Sequence, residues 1–156
     1  MEEVKYILGD LVKSKLVPAD VVCRIISIDQ ERRFVGRKGM LVGAASIEGF
    51  DVDSSRYVCR GIFFNEIIPI PLTSEILKKN GWKTTGREKD NEFGFTYYPF
   101  RKKGCFIGLN FYPKIEGQLM CVMLVVNGRE LDYGFNYVHQ LQHLLFGLGL
   151  NHKIKV

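Results

Sequence analysis

The chain is written in short apolar runs that glycine, asparagine and aspartate interrupt before any can grow into a long helix. "DVVCRIISID" (20–29), "RRFVGRK" (32–38), "GMLVGAASI" (39–47) and "RYVCRGIFF" (56–64) are rich in Val, Ile and aromatic residues. The pattern returns in "EFGFTYYPF" (92–100), "GCFIGLNFY" (104–112), "GQLMCVMLVV" (117–126) and "RELDYGF" (129–135). Runs of this length suit strands, because branched and aromatic side chains pack well on a pleated surface. Gly36, Gly39, Gly43 and Gly49 suit turns, bulges and strong curvature. Asn127–Gly128 reads as a two-residue hairpin turn. The expected class is α+β, mainly antiparallel β.

Helical signals gather in two places. In "IIPIPLTSEILKKNGW" (67–82), Pro69 and Pro71 hold the chain extended and keep it out of a central strand. Thr73 or Ser74 then offers an N-cap, Glu75 lies in the first turn, Lys78 and Lys79 lie in the last, and Gly81 can end the helix. The spacing predicts a helix over 73–80. A second is predicted over 136–148, with Asn136 as N-cap and Gly147 and Gly149 at its end. The opening "EEVKYILGDLVKSKLV" fits either a first strand or a short helix. Short curved strands in the first 66 residues suggest a small SH3-like barrel, since closing a sheet removes its edges. The expected organisation is therefore an SH3-like module at 1–66 and an α+β module at 67–156, an antiparallel sheet with the two short helices.

At about 100° per residue, Tyr137, Val138, Leu141, Leu144, Leu145 and Leu148 share one arc of the last helix. His139 and His143 fall opposite it, flanked by Gln140 and Gln142 and joined by Phe146. The spelling H-Q-L-Q-H is near the H-E-x-x-H of zinc proteases, but Gln140 has no basic oxygen to replace the glutamate that activates metal-bound water. A solvated helix face is the plain reading. The mixed character of His139, Gln142, His143 and Phe146 instead points to a contact face for another subunit or partner.

Much else is excluded or disfavoured. The 156 residues are 46% hydrophobic and 25% charged, the profile of a globular chain. No run reaches the roughly 18 apolar residues of a membrane helix, and the charged opening lacks the form of a signal peptide. The expectation is a cytoplasmic protein. Cys23, Cys59, Cys105 and Cys121 are widely spaced with no C-x-x-C pair, so buried free thiols are expected rather than a zinc or redox site. No phosphate-binding glycine loop and no G-x-S-x-G occurs, and no nucleophile stands beside an evident base. Asp51 and Asp53 read as a polar strand end and turn more readily than as an acid pair. Neither catalysis nor a cofactor or metal is expected.

Charge is where the sequence leans towards a partner. The net charge is +5, and residues 67–156 carry twelve basic and seven acidic side chains while the first 66 residues balance. Arg32, Arg33, Arg37 and Lys38 cluster around one glycine-bearing turn. Arg101, Lys102 and Lys103 cluster at a second, directly after Tyr97, Tyr98 and Phe100. Arginine forks match phosphate oxygens, and an adjacent aromatic ring can stack a base. The competing reading is that basic residues decorate turns for solubility while the aromatics alternate into the core.

The segments "IPIPLTSEILKKNGW" and "YVHQLQHLLFGL" together resemble a group of small, mostly uncharacterised proteins of phages and prophages of gut bacteria. In that group an I-G-N-type opening (here Leu8, Gly9 and Asp10) and a β-rich stretch precede P-I-P-L-T-x-E-x-L-x-x-x-G-F and then Y-V-H-Q-L-Q-x-L-Y-F-A-L. The specific resemblance covers 27 residues and is loose elsewhere. His139, Gln140, Leu141 and Gln142 fall on its motif, whereas His143 stands where Asn is commoner, Trp82 where Phe is usual and Gly147 where Ala is usual. The resemblance implies phage origin and no set activity. Joined to the charge pattern, it gives a non-catalytic phage accessory protein, a homo-oligomer that binds an anionic, nucleotide-like ligand and sequesters an immune signal of the bacterial host. Two alternatives stand beside it: a nucleic-acid-binding module, and a protein–protein interaction module that docks through the C-terminal helix.

Overall fold

A computed structural model describes residues 6–29, 44–51, 53–84, 86–113 and 121–156. The chain divides into two compact units, Met1–Ile70 and Pro71–Val156.

In the first unit the described strands are β1 (Leu11–Ser14), β2 (Val22–Asp29), β3 (Ala44–Phe50), β4 (Arg56–Phe63) and β5 (Ile67–Pro69). They form one antiparallel sheet in the order β4-β3-β2-β1-β5. Val12, Val21, Cys23, Ile25, Ala45, Ile47, Ile62 and Ile67 make its core. Register shifts between Ile25 and Ser27 and between Ala45 and Ile47 add residues to one strand of a pair, which curls the sheet into a half-barrel. The ambiguous opening resolves as strand β1, entered through a turn in which the buried Asp10 carboxylate accepts the Ile7 N–H at 2.8 Å. Asp51 organises the β3–β4 turn. Its Oδ1 accepts the backbone N–H groups of Asp53 (3.0 Å) and Ser55 (2.8 Å), and its Oδ2 accepts the Tyr57 hydroxyl. The first unit extends past residue 66 because β5 pairs with β1 through Ser14–Ile67, Lys13–Ile68 and Val12–Pro69. Pro69 is accommodated because β5 is an edge strand.

The second unit holds α1 (Ser74–Lys79), β6 (Lys83–Thr84), β7 (Lys89–Asp90), β8 (Thr96–Arg101), β9 (Ile107–Tyr112), β10 (Cys121–Val126), β11 (Arg129–Phe135) and α2 (Val138–Gly147). Its antiparallel sheet runs β11-β10-β9-β8-β6, with β7 also paired to β8. Register and alternation put Phe100, Leu109, Phe111, Val122, Leu124 and Phe135 on one face, and all six are buried. Asn127 and Gly128 adopt positive φ (50° and 78°), the geometry that an Asn-Gly hairpin turn requires. The two-residue strands β6 and β7 are too short to leave a period in the sequence.

The segment 68–82 and the start of the last helical segment meet in space. Pro71 bridges Tyr137, and the Leu72 N–H donates to the Asn136 carbonyl at 2.8 Å. Helix α1 starts as predicted, with the Thr73 hydroxyl accepting the Ile76 N–H, and the chain leaves it through Gly81 at φ +82°. Beyond α2 the tail is tied back to α1: the Asn80 amide exchanges hydrogen bonds with the Lys155 backbone at 2.7 and 2.8 Å.

Helix α2 corrects the sequence reading twice. It is capped at Tyr137, not Asn136, and the Gln140 side chain accepts the N–H groups of both (2.9 and 3.1 Å). His139 and Gln142 are buried with Val138, Leu141 and Leu145, so the buried stripe is turned by about 75° from the one hydrophobicity alone traces. His139 stacks on Tyr137 with centroids 5.8 Å apart and meets His143 edge-on at 5.7 Å. Aromatic packing of this kind makes an imidazole acceptable on a core face. Leu148 is exposed and Leu144 half-buried. Among the described residues no helix is long and apolar enough to cross a membrane.

Candidate binding face on the second sheet

Of the residues singled out for binding, Arg32, Arg33, Arg37 and Lys38 lie outside the described residues. Arg101, Lys102 and Lys103 lead into the β8–β9 hairpin, where Gly104 takes φ +74° and the Cys105 N–H donates to the Lys102 carbonyl. They do not act as one cluster. Arg101 and Lys103 are exposed, whereas Lys102 is half-buried with its ammonium 6.0 Å from the centre of the Trp82 ring. Tyr97 and Tyr98 are also separated, because successive strand residues face opposite ways. Tyr98 points to the side of Phe100, and its hydroxyl donates to Glu88, which raises its pKa. Tyr97 shares a face with Arg101 and packs on Tyr112, with ring centroids 5.3 Å apart.

The face carrying Tyr97 and Arg101 mixes polar side chains with apolar ones such as Met123 and Val125. Arg101, Gly108, Val125 and Glu130 lie in one cross-strand row over β8, β9, β10 and β11. The guanidinium lies flat over Gly108: a Cβ built there would be 2.5 Å from its Cζ. Its Nη1 donates to the Phe100 carbonyl at 2.8 Å, and no carboxylate pairs with it among the described residues. Along β9, Asn110 and Tyr112 follow Gly108 on this face. The buried Asn110 amide donates to Glu130 at 2.6 Å, and the Tyr112 hydroxyl lies 2.9 and 3.0 Å from the two oxygens of that carboxylate. Asn110 Oδ1 is buried with no hydrogen-bond partner among the described residues.

Next to this row opens a cleft of about 460 Å³. Its wall exists because the β10–β11 ladder slips: Met123 pairs with Gly134 and Val125 with Glu130, so Leu124 is opposed by Leu131, Asp132 and Tyr133. Leu131 and Asp132 therefore step out of the ladder and line the cleft with the paired Glu130, as bulged strands do beside binding sites. Across from them are Phe93 and Phe95, on a turn held by Asn91, whose Oδ1 accepts both of their N–H groups at 3.0 and 2.9 Å. Phe93 is 74% exposed, a large apolar ring open to solvent.

Burial, and then the hydrogen bond to Glu130, push the Tyr112 phenol from its ordinary 10.0 up to about 12. A raised folded-state pKa means that the proton is held more tightly folded than unfolded. The resulting stability is present below pH 10.0 and is lost as pH rises towards about 12. In Tyr112→Phe this loss should shrink; Tyr57 and Tyr98, also raised by carboxylate hydrogen bonds, keep part of the alkaline sensitivity. Urea denaturation of both proteins across that window checks it, and equal alkaline losses would refute the assignment.

On α2, His143 is half-buried and Phe146 is 62% exposed, its ring edge-on to His152 at 5.2 Å. These two residues remain on the surface, while His139 and Gln142 do not. Among the described residues no three His, Cys, Asp or Glu side chains gather as a metal site, and all four cysteines are free. Asn110, Tyr112, Glu130 and Asn91 escape a sequence reading directed at basic clusters. One signal was available: Asn110 is a polar residue inside the apolar run "IGLNFY". No family model, curated protein or solved structure matches the chain.

Proposed function

We propose that this is a non-catalytic phage accessory protein that captures a small phosphate-bearing, nucleotide-like ligand and withholds it as a signal of host immunity. The observation that carries the proposal is Arg101, a guanidinium laid on the sheet over Gly108 with no carboxylate partner among the described residues. An immobilised fork loses little further freedom when it takes up a phosphate, and charge-assisted bonds of this kind are among the strongest available to a surface site. Tyr97, on the same face, is the ring suited to a base. Arg32, Arg33, Arg37 and Lys38 have the same phosphate role in this reading, and Lys103 adds charge at the hairpin tip. The first unit is read as SH3-like, supported by the curled sheet of its described strands, with β5 returning beside β1. Self-association is assigned to the exposed edge of α2 around Phe146.

Isothermal titration with cyclic and linear mononucleotides and dinucleotides tests the proposal. At least one should bind in the low micromolar range or tighter. If none binds more tightly than high micromolar, the proposal falls. Affinity that appears only with long oligonucleotides and drops steeply with salt would replace it with backbone tracking of nucleic acid.

A further inference from the structure

The cleft beside the polar row has a chemistry of its own, opposite in sign to that of Arg101. Among the described residues two carboxylates, Glu130 and Asp132, line it, and no basic side chain does. Nearby donors serve other groups: the Asn110 amide and the Tyr112 hydroxyl donate to Glu130, and the Asn91 amide lies 3.4 Å from the Tyr112 oxygen. The Asn91 carbonyl is also occupied, by the Phe93 and Phe95 N–H groups. What stays unmet is acceptor capacity. A carboxylate offers about four lone-pair positions, and the Asn110 amide and the Tyr112 hydroxyl leave some of those on Glu130 open. A site with spare acceptors selects a ligand rich in N–H.

The remaining walls are apolar. Phe93, Phe95, Leu131 and Met123 surround a space of about 460 Å³, within the usual range for small-molecule sites. Two phenylalanine rings near a pair of carboxylates suit a flat body that carries positive charge, through ring faces and charge-assisted hydrogen bonds together.

We infer that this cleft is a second binding site, for a small organic cation: a flat apolar body lies against Phe93 and Phe95, and its amidinium or ammonium donates to Glu130 and Asp132. The site depends on neither a phosphate nor Arg101. It gives the protein two separate recognition chemistries, cation in the cleft and anion at the hairpin end of β8.

The test uses the intact chain and three probes of matched shape, benzamidine, benzyl alcohol and benzoate, with binding mapped by amide chemical shifts in two-dimensional NMR. Benzamidine should shift the amides of Phe93, Phe95 and Leu131, benzyl alcohol should bind more weakly, and benzoate should not bind. Glu130→Gln should weaken benzamidine by about tenfold, since it removes the charge while keeping an oxygen for Asn110 and Tyr112. Asp132→Asn, at an exposed position that cannot disturb the core, should weaken it severalfold. Benzoate binding as well as benzamidine would overturn the inference. So would benzamidine shifts away from the cleft, or full affinity in both variants. Inorganic phosphate, titrated separately, reports on the proposed basic residues and not on the cleft, so failure of one site is not confused with failure of the other.

Discussion

Replacing Gly108 with alanine will remove most of the protein's affinity for phosphate-bearing ligands and leave the fold in place. A Cβ at 108 would occupy space held by Arg101 Cζ, Nε and Nη1. These atoms end a long flexible side chain, so the guanidinium will swing off the sheet before β9 shifts. Gly108 is buried in a central strand and needs no left-handed φ, and alanine is favoured over glycine inside regular structure by roughly 0.5–1 kcal/mol. Stability should therefore change little. Binding should fall by about tenfold or more, the scale of one charge-assisted hydrogen bond. Arg101→Ala should show the same loss, and the double variant should lose no more than either single one, because both act through one guanidinium. Titration with the tightest nucleotide and urea midpoints for all three proteins read the result. Wild-type affinity in Gly108→Ala would mean that the position of the guanidinium is irrelevant, and the functional proposal would lose its support.

The largest effect on stability is expected at Trp82. This residue is the chain's one tryptophan, 2% exposed, and follows directly on the turn at Gly81 that ends α1. Lys102 lies over its ring, so the hairpin bearing the basic residues rests partly on it. Trp82→Ala removes the largest side chain of the core, and such truncations cost about 3–5 kcal/mol. That is a large part of the 5–15 kcal/mol typical of a domain. Trp82→Phe, which keeps a ring, should cost far less and restore cooperative unfolding. Circular dichroism during urea denaturation compares the variants, and tryptophan fluorescence gives the wild-type reference. An alanine variant as stable as the wild type would show that the ring carries little of the packing around it.

The architecture was largely legible because its signals are local. Asn127–Gly128 named its turn, since few residue pairs accept two consecutive positive φ values. Thr73, Glu75 and Gly81 marked α1 to within a residue or two, because caps are satisfied by groups one turn away. Asp51 read as a turn residue and is one. Helix α2 was found but wrongly oriented. The wheel ranks residues by hydrophobicity, whereas His139 earns its burial through Tyr137 and His143, contacts that a hydrophobic scale does not contain.

The candidate site was much less legible. Arg101 was singled out, but as one of a basic trio that the structure separates, with Lys102 turned to Trp82. Glu130 and Asn110 stand twenty residues apart and become neighbours only through β10, which pairs with both of their strands. The β10–β11 slip that opens the cleft leaves no mark in "RELDYGF". By itself the sequence determined the β-rich class, the places where the chain turns and the ends of the helices, all properties settled within a few bonds of each residue. Only the tertiary structure decided which face each side chain takes and which distant strands share a row. Strand register is set by the sum of many non-local contacts, and a shift of one residue would send every one of these side chains to the other side.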